Sequence, residues 1–330
     1  MPNIKLIVVK GGSGYCSERL SVGVYVKNNI ATLIDSGIDD GTAKSIEKML
    51  RENNYTLGAI INTHSHADHC GGNSYFQSKY PDLKIYSTKY EQHYIEETIN
   101  EPRCFCQGAH PTTGLRNKFL EAKSSVVTNV IHPYIDQDLN INGDIFRIVT
   151  LPGHSPGMIG VISPDNVLYT GDSIFGRETL EKHAVLFYTN ISETLTSFKK
   201  IAALHVDACV FYHGGLLDGN LNRVVAEHEA RVLSTQDTIH QLIFRGPVSL
   251  DTLTQLVIQH YKIPENIMQF TLTQVCVQAY VTQLEADKKI DILMSDGLKV
   301  IGHRGIALEK LEQAAHIEKL QQTGTFKVKL

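Results

Sequence analysis

The first third of the chain alternates short apolar runs with amphipathic ones. Ile4–Val9, Leu20–Val26 and Ile30–Ile34 are β-rich and are broken by Gly, Ser and Asn, which predicts three strands. Asp35-Ser36-Gly37 closes the third run as a turn. Ala43, Ile46 and Leu50 fall at helical spacing, so Asp40–Asn54 is predicted as an amphipathic helix. Ala59-Ile60-Ile61-Asn62 is a short buried strand. Gly71-Gly72-Asn73 leads into a helix that stops before Pro81, and Leu83–Tyr86 is the next strand. Thr88 and Glu91 fit a capping box for the helix that follows. Between 101 and 125 the period is lost and Pro, Gly, Cys, Arg and His crowd together. That predicts a long lid or binding loop with a short helix near Phe119. Strands return at Ile145–Thr150, Met158–Ile162, Val167–Thr170 and Ala208–Tyr212. A helix through Leu195, Phe198, Ile201 and Ala202, capped by Ser192, precedes the last of them.

From Leu221 the pattern turns helical. Asn222–Ile243 reads as one long helix, punctuated by Arg245-Gly246-Pro247. Ser249 caps a helix to His260, and Pro264 opens another that runs to about Ala286. Asp291–Met294 and Leu298–Ile301 flank Ser295-Asp296-Gly297, a hairpin signal. Helix, helix, hairpin is the order of a small winged-helix unit. A boundary near 245 therefore divides the chain into 1–245 and 246–330.

Composition narrows the class. Hydrophobic residues are 42 % and charged residues 20 % of the 330, which supports a packed core. A net charge of −4 lacks the basic excess of a phosphate-backbone binder. Six cysteines are too few for a disulfide scaffold. The N-terminal apolar run is too short for a secretory signal, and no stretch approaches the roughly 18 apolar residues of a membrane span. These features predict a soluble cytoplasmic protein with reduced thiols.

The chemistry concentrates in His64-Ser65-His66-Ala67-Asp68-His69. Imidazoles are the commonest ligands of borderline metals, and a carboxylate adds charge. An extended segment points His64 and His66 the same way, and a turn after them splays Asp68 and His69 toward a second position. His154 in Pro152-Gly153-His154-Ser155-Pro156-Gly157, Asp172 in Thr170-Gly171-Asp172-Ser173, and His213 in Tyr212-His213-Gly214-Gly215 each follow a strand. All three are delivered to a common edge. Asp35 reads as a supporting or turn residue rather than a ligand.

In that order these residues resemble the metallo-β-lactamase superfamily, over about residues 4–220 and including the Asp35-Ser36-Gly37 turn. The resemblance implies an αββα sandwich in an α/β catalytic domain, 1–245, with the winged-helix-like unit behind it. It implies that His64, His66 and His154 hold a first metal, that Asp68, His69 and His213 hold a second, and that Asp172 bridges them. Two adjacent cations lower the pKa of a bridging water to give hydroxide at neutral pH, and Asp68 can orient it or take its proton. Zinc is the first choice of metal, with iron or manganese as alternatives. Cys70 adjoins the motif but occupies no ligand position. This sets the chain apart from lactamases with a cysteine ligand and closer to the glyoxalase II, lactonase and nuclease branch.

The expected reaction is hydrolysis of a small-molecule ester, thioester or lactone. Asp172 and His213 lie 41 positions apart, which leaves no room for a nucleic-acid clamp domain there. From Gly246 onward nine Lys or Arg meet nine Asp or Glu. That neutral tail fits a packing or homodimerising appendage better than a nucleic-acid reader. It also departs from the basic C-terminal region with which glyoxalase II members take a glutathione thioester. A nuclease or nucleic-acid regulator and an iron-dependent oxidoreductase are the competing readings. Arg103, His110, Arg116 and Arg177 are candidates to meet an anionic substrate, with Phe105, Phe187 and Tyr188 to pack on it. Cys104 and Cys106 form a lone C-x-C pair. Gly11-Gly12-Ser13-Gly14 reads as a flexible turn, followed by Cys16, which is buried or lines the cleft.

Overall fold

The computed structural model describes residues 4–17, 19–295 and 297–305. Contacts divide the chain into two compact units, Met1–Ala230 and Arg231–Leu330.

The first unit is built on two sheets. One runs in chain order through β1 (Lys5–Lys10), β2 (Ser13–Ser17), β3 (Ser21–Lys27), β4 (Ile30–Ile34), β5 (Thr56–Ile61), β6 (Lys84–Thr88) and β7 (Asn129–Ile131). The other comprises β8 (Gln137–Ile141), β9 (Asp144–Thr150), β10 (Ile159–Ile162), β11 (Val167–Tyr169), β12 (Ala208–Phe211) and β13 (Gly215–Leu216), ordered from β13 back to β8. Successive strand side chains point to opposite faces, and the sequence uses both faces. Val22, Val24, Leu33 and Ile60 join a core with Ala43, Ile46, Met49 and Leu50 of α1 (Asp40–Glu52). Tyr25, Ile34, Ala59 and Ile61 face Phe146, Ile148, Val161, Tyr169 and Val210 of the other sheet. Each such aliphatic side chain stabilises the fold by about 1.5–3 kcal/mol. The result is the αββα arrangement.

Further helices are α2 (Ala67–Cys70), α3 (Asn73–Lys79), α4 (Lys89–Glu96), α5 (Asn100–Phe105), α6 (Arg177–Lys182), α7 (Ile191–Ala202) and α8 (Leu221–Phe244). The division between units falls inside α8. In the second unit α9 (Leu250–Tyr261) packs on α10 (Ile267–Ala286), and β14 (Ile290–Ser295) pairs antiparallel with β15 (Leu298–His303). This is the expected order of helix, helix and hairpin. Asp296 of the expected turn lies outside the described residues, as do residues 306–330. No helix among the described residues is long and apolar enough to cross a membrane.

Several local expectations change. Ser13-Gly14 belongs to β2 rather than to a flexible turn, and of the two places expected for Cys16 it takes burial, in the core of that sheet. β7 and β8 were not foreseen. The 101–125 segment carries α5 and a 3-10 turn at Thr113–Leu115, whereas Phe119 sits in a turn and not a helix. Asn190, not Ser192, caps α7, its side chain accepting from Glu193 N. Asn266 rather than Pro264 starts α10.

Candidate metal centre

Parallel neighbours end on the same edge, and this edge collects the site. β4 and β5 run parallel, as do β11 and β12. Their C-terminal ends deliver Asp35, the 62–66 segment, Asp172 and His213. After β5 the chain stays extended through His66 and then turns into α2, with His69 N and Cys70 N both donating to His66 O. Gly71 and Gly72 let this turn pass the 36–38 loop. A Cβ on Gly71 would lie 2.1 Å from Ile38 O, and one on Gly72 2.2 Å from Ser36 O.

Three groups of potential ligand atoms result, each within 4.8 Å of one another: His64, His66 and His154; His64, His69 and Asp172; Asp68, His69 and His213. Asp172 reaches both ends. Its Oδ1 is 3.2 Å from His69 Nε2, and its Oδ2 lies 3.3 Å from His213 Nε2 and 3.6 Å from His154 Nε2.

The donor pattern fits a cation. Thr63 Oγ1 donates to Asp35 Oδ2, so it accepts from His64 Nδ1, 3.1 Å away, leaving His64 Nε2 a lone pair. His154 Nδ1 donates to Phe187 O at 2.8 Å, so its Nε2 is a lone pair as well; it faces His66 Nδ1 at 2.9 Å. His69 Nδ1 faces the Asp35 carboxylate at 2.8 Å. His64 Nε2, His69 Nε2 and Asp172 Oδ1 are buried without a hydrogen bond, the last two despite lying 3.2 Å apart. Buried polar atoms are rarely left so, and convergent lone pairs are what a metal satisfies.

Charge divides the cluster into two halves. Burial, then the neighbouring imidazoles, hold His64 well below the ordinary histidine range, and burial with His154 puts His66 at about 3. In the other half burial is outweighed. Asp172, Asp35 and Asp68 push His69 well up, and Asp172 and Asp68 raise His213 to about 10. Against the cost of burial, His69 and His213 bring Asp68 down to about 2. Without a cation, Asp68 and Asp172 hold the charge of a proton on His69 and His213, and a bound metal would take that proton's place at Nε2, whereas His64 and His66 are held neutral.

Two acidic residues emerge that the sequence reading missed. Glu91 was expected to cap its own helix. Thr88 does accept from Glu91 N, but the Glu91 carboxylate is turned inward and buried. Its Oε2 accepts from Ser65 N at 3.0 Å and from Ser65 Oγ. Its Oε1 accepts from Gly157 N at 2.9 Å and from Ser155 Oγ. It ties the loop of His64 and His66 to the loop of His154. Glu91→Ala leaves four donors without an acceptor. It is expected to cost about 1–3 kcal/mol of unfolding free energy for each of the two backbone N–H groups left unsatisfied, read by denaturant titration of the metal-free protein. Glu101, in α5, places Oε1 3.8 Å from His66 Nε2. Burial, with Asp68 and Glu91 nearby, raises its carboxyl well above the usual range.

The substrate candidates fare unevenly. Arg116 is paired with Glu121 and Arg177 with Glu181, all by short side-chain contacts at the surface. Tyr188 is 1 % exposed and its hydroxyl donates to Ser173 O, so it packs behind His154 rather than lining an opening. Arg103 and His110 are exposed. Phe187 sets its ring edge against His66 and His154 at 5.8 and 5.4 Å, and Phe105 meets Phe187 at 6.4 Å. Cys104 and Cys106 join no cluster of metal-ligating groups among the described residues. Cys70 is buried and donates to Ser65 O, which leaves it outside the ligand set.

Residues 20–213, more than half of the chain, match the sequence pattern of the metallo-beta-lactamase superfamily. The chain belongs to this superfamily. A relative within reach of sequence is a hydroxyacylglutathione hydrolase of Serratia proteamaculans, 24 % identical over 221 residues, covering 66 % of this chain and 73 % of that one. A second, from Photobacterium profundum and of the same name, is 26 % identical over 262 residues, 77 % of this chain and 82 % of that one. Among solved structures, a beta-lactamase domain protein from Burkholderia ambifaria superposes with a TM-score of 0.70 at 16 % identity, covering 90 % of this chain and 93 % of that one. Metallo-beta-lactamase folds thus account for the two mixed sheets and the edge on which the cluster sits.

Proposed function

We propose that this metal-dependent hydrolase cleaves the thioester or ester bond of a small molecule at a two-metal centre. In this reading His64, His66 and His154 hold one metal, Asp68, His69 and His213 hold the other, and Asp172 faces both. The observation that carries it is the convergence on one spot of buried His64 Nε2, His69 Nε2 and Asp172 Oδ1, none of them in a hydrogen bond. Bound there, two cations, zinc being our first choice, would lower the pKa of a water and polarise an acyl oxygen. The chain's own contribution is order. Asp35, Thr63 and Phe187 O fix which nitrogen of His69, His64 and His154 is the lone pair. Asp68 is the more open carboxylate, 26 % exposed against 7 % for Asp172, so it is placed to orient the nucleophile or take its proton.

The relatives are named for hydrolysing hydroxyacylglutathione, a thioester, which favours acyl–sulfur substrates. We read residues 246–330 as a winged-helix-like packing or dimerising appendage rather than a nucleic-acid reader, on the neutral balance of its charges. The test uses the full chain loaded with two equivalents of metal against a panel of thioesters, esters and lactones. Turnover on at least one class is expected. Asp68→Asn should lower it about 10²–10⁴-fold while both metals stay bound. A fully loaded protein inert across the panel would sink the acyl-hydrolase reading.

A further inference from the structure

Each imidazole that donates a lone pair to a metal must carry its proton on the other ring nitrogen, and that N–H usually meets an acceptor. For three imidazoles the acceptor is plain: Thr63 Oγ1 for His64, Asp35 for His69, and Phe187 O for His154. His66 differs. Its Nδ1 is the atom turned into the cluster, 2.9 Å from His154 Nε2. Its Nε2 therefore looks outward, and the group it meets is Glu101 Oε1 at 3.8 Å. Glu101 comes from α5, inside the irregular segment that the sequence marks as a lid. Glu101 and Phe105 are four residues apart, hence on one face of that helix. Glu101 addresses His66, and Phe105 meets Phe187, whose ring lies against both His66 and His154. One helical face thus covers the first-metal half of the site. The Glu101 side chain is only 12 % exposed, and among the described residues this is the one ion-pair contact of its carboxylate.

We propose that Glu101 is a positioning residue of the metal centre, accepting the Nε2–H of His66 and so fixing the tautomer that presents Nδ1 to the first metal. This rests on reading the cluster as a two-metal site. An approach of about 1 Å would bring the pair to ordinary hydrogen-bonding distance. The arrangement couples the 101–125 segment to the metal: a shift of α5 alters the support of a ligand as well as the cover of the site.

The experiment compares wild type with Glu101→Ala and Glu101→Gln. Zinc affinities of both sites are measured by competition with a chromophoric chelator. Exchangeable imidazole N–H signals are then recorded by proton NMR of the cobalt(II)-loaded full chain. Glu101→Ala is expected to weaken one site about 10–100-fold, leave the other within twofold, and lose one N–H signal to fast solvent exchange. Glu101→Gln, whose amide oxygen still accepts, should keep the signal and most of the affinity. Unchanged affinities and signals in Glu101→Ala, with wild type binding two ions, would overturn the role of Glu101 alone. Weakened binding with every N–H signal intact would also overturn it, since Glu101 would then act without touching His66. A wild-type chain that takes up no metal would overturn the two-metal reading and this inference with it.

Discussion

Asp172→Ala is expected to lower hydrolytic turnover about a thousandfold or more and to leave the purified chain with fewer than two metal equivalents. A thousandfold corresponds to about 4 kcal/mol of lost transition-state stabilisation. The expectation follows from position. Asp172 touches imidazoles of both groups, with Oδ1 3.2 Å from His69 Nε2 and Oδ2 near His213 and His154. It also leads the charges that push His69 and His213 upward. Its removal takes away the anion that both halves share, whereas loss of a single histidine would take a ligand from one half. Its backbone is set independently. Ser173 N and Oγ both donate to Thr170 O, and Gly171 adopts φ 51°. The loop should therefore survive the substitution. Elemental analysis and turnover on one preparation check it. Two bound equivalents and full activity in the variant would show that Asp172 bridges nothing.

How much of this was legible beforehand follows from what each residue depends on. The ligand candidates were readable because their chemistry is local. Three histidines and an aspartate in six positions, after a buried strand, need no distant partner to be conspicuous. The sheets were readable where strands are central and apolar. β7 and β8 were not: β7 is only three residues long, too short to show a period. β8 is the polar Gln-Asp-Leu-Asn-Ile. Helix α5 spans six residues and carries Pro102 in its first turn, too short a run for a period to declare itself. Glu91 was hidden by ambiguity. Thr88-x-x-Glu91 is a sound capping signal, and only partners 26 to 66 residues away reveal that the carboxylate is used elsewhere. The arginine candidates show a missed signal of the opposite kind. Arg177 has Glu181 four residues on, the spacing of a helical ion pair, and the two side chains do pair at the surface.

Asp35→Asn should separate the two halves of the site. Asp35 is buried and holds a left-handed backbone at φ 66°, a conformation that Asn tolerates nearly as well as Asp, so the turn itself is spared. Its carboxylate accepts from three groups, Thr63 N, Thr63 Oγ1 and His69 Nδ1, each at 2.8 Å. An amide of the same shape has one oxygen and one NH₂. The oxygen can keep Thr63 N, and the Thr63 hydroxyl can turn to accept from the NH₂, but the NH₂ then faces His69 Nδ1–H, donor against donor. His69 can relieve this by moving its proton to Nε2, the atom wanted by the second metal. The expected result is about 10–100-fold weaker binding at the second site, with the first site, held by His64, His66 and His154, much less affected. Losing charge-assisted bonds in a buried position should also cost about 2–3 kcal/mol in the metal-free protein. Chelator competition and denaturant titration read the two effects separately. Equal weakening at both sites would mean that Asp35 acts through the whole edge rather than through the tautomer of His69.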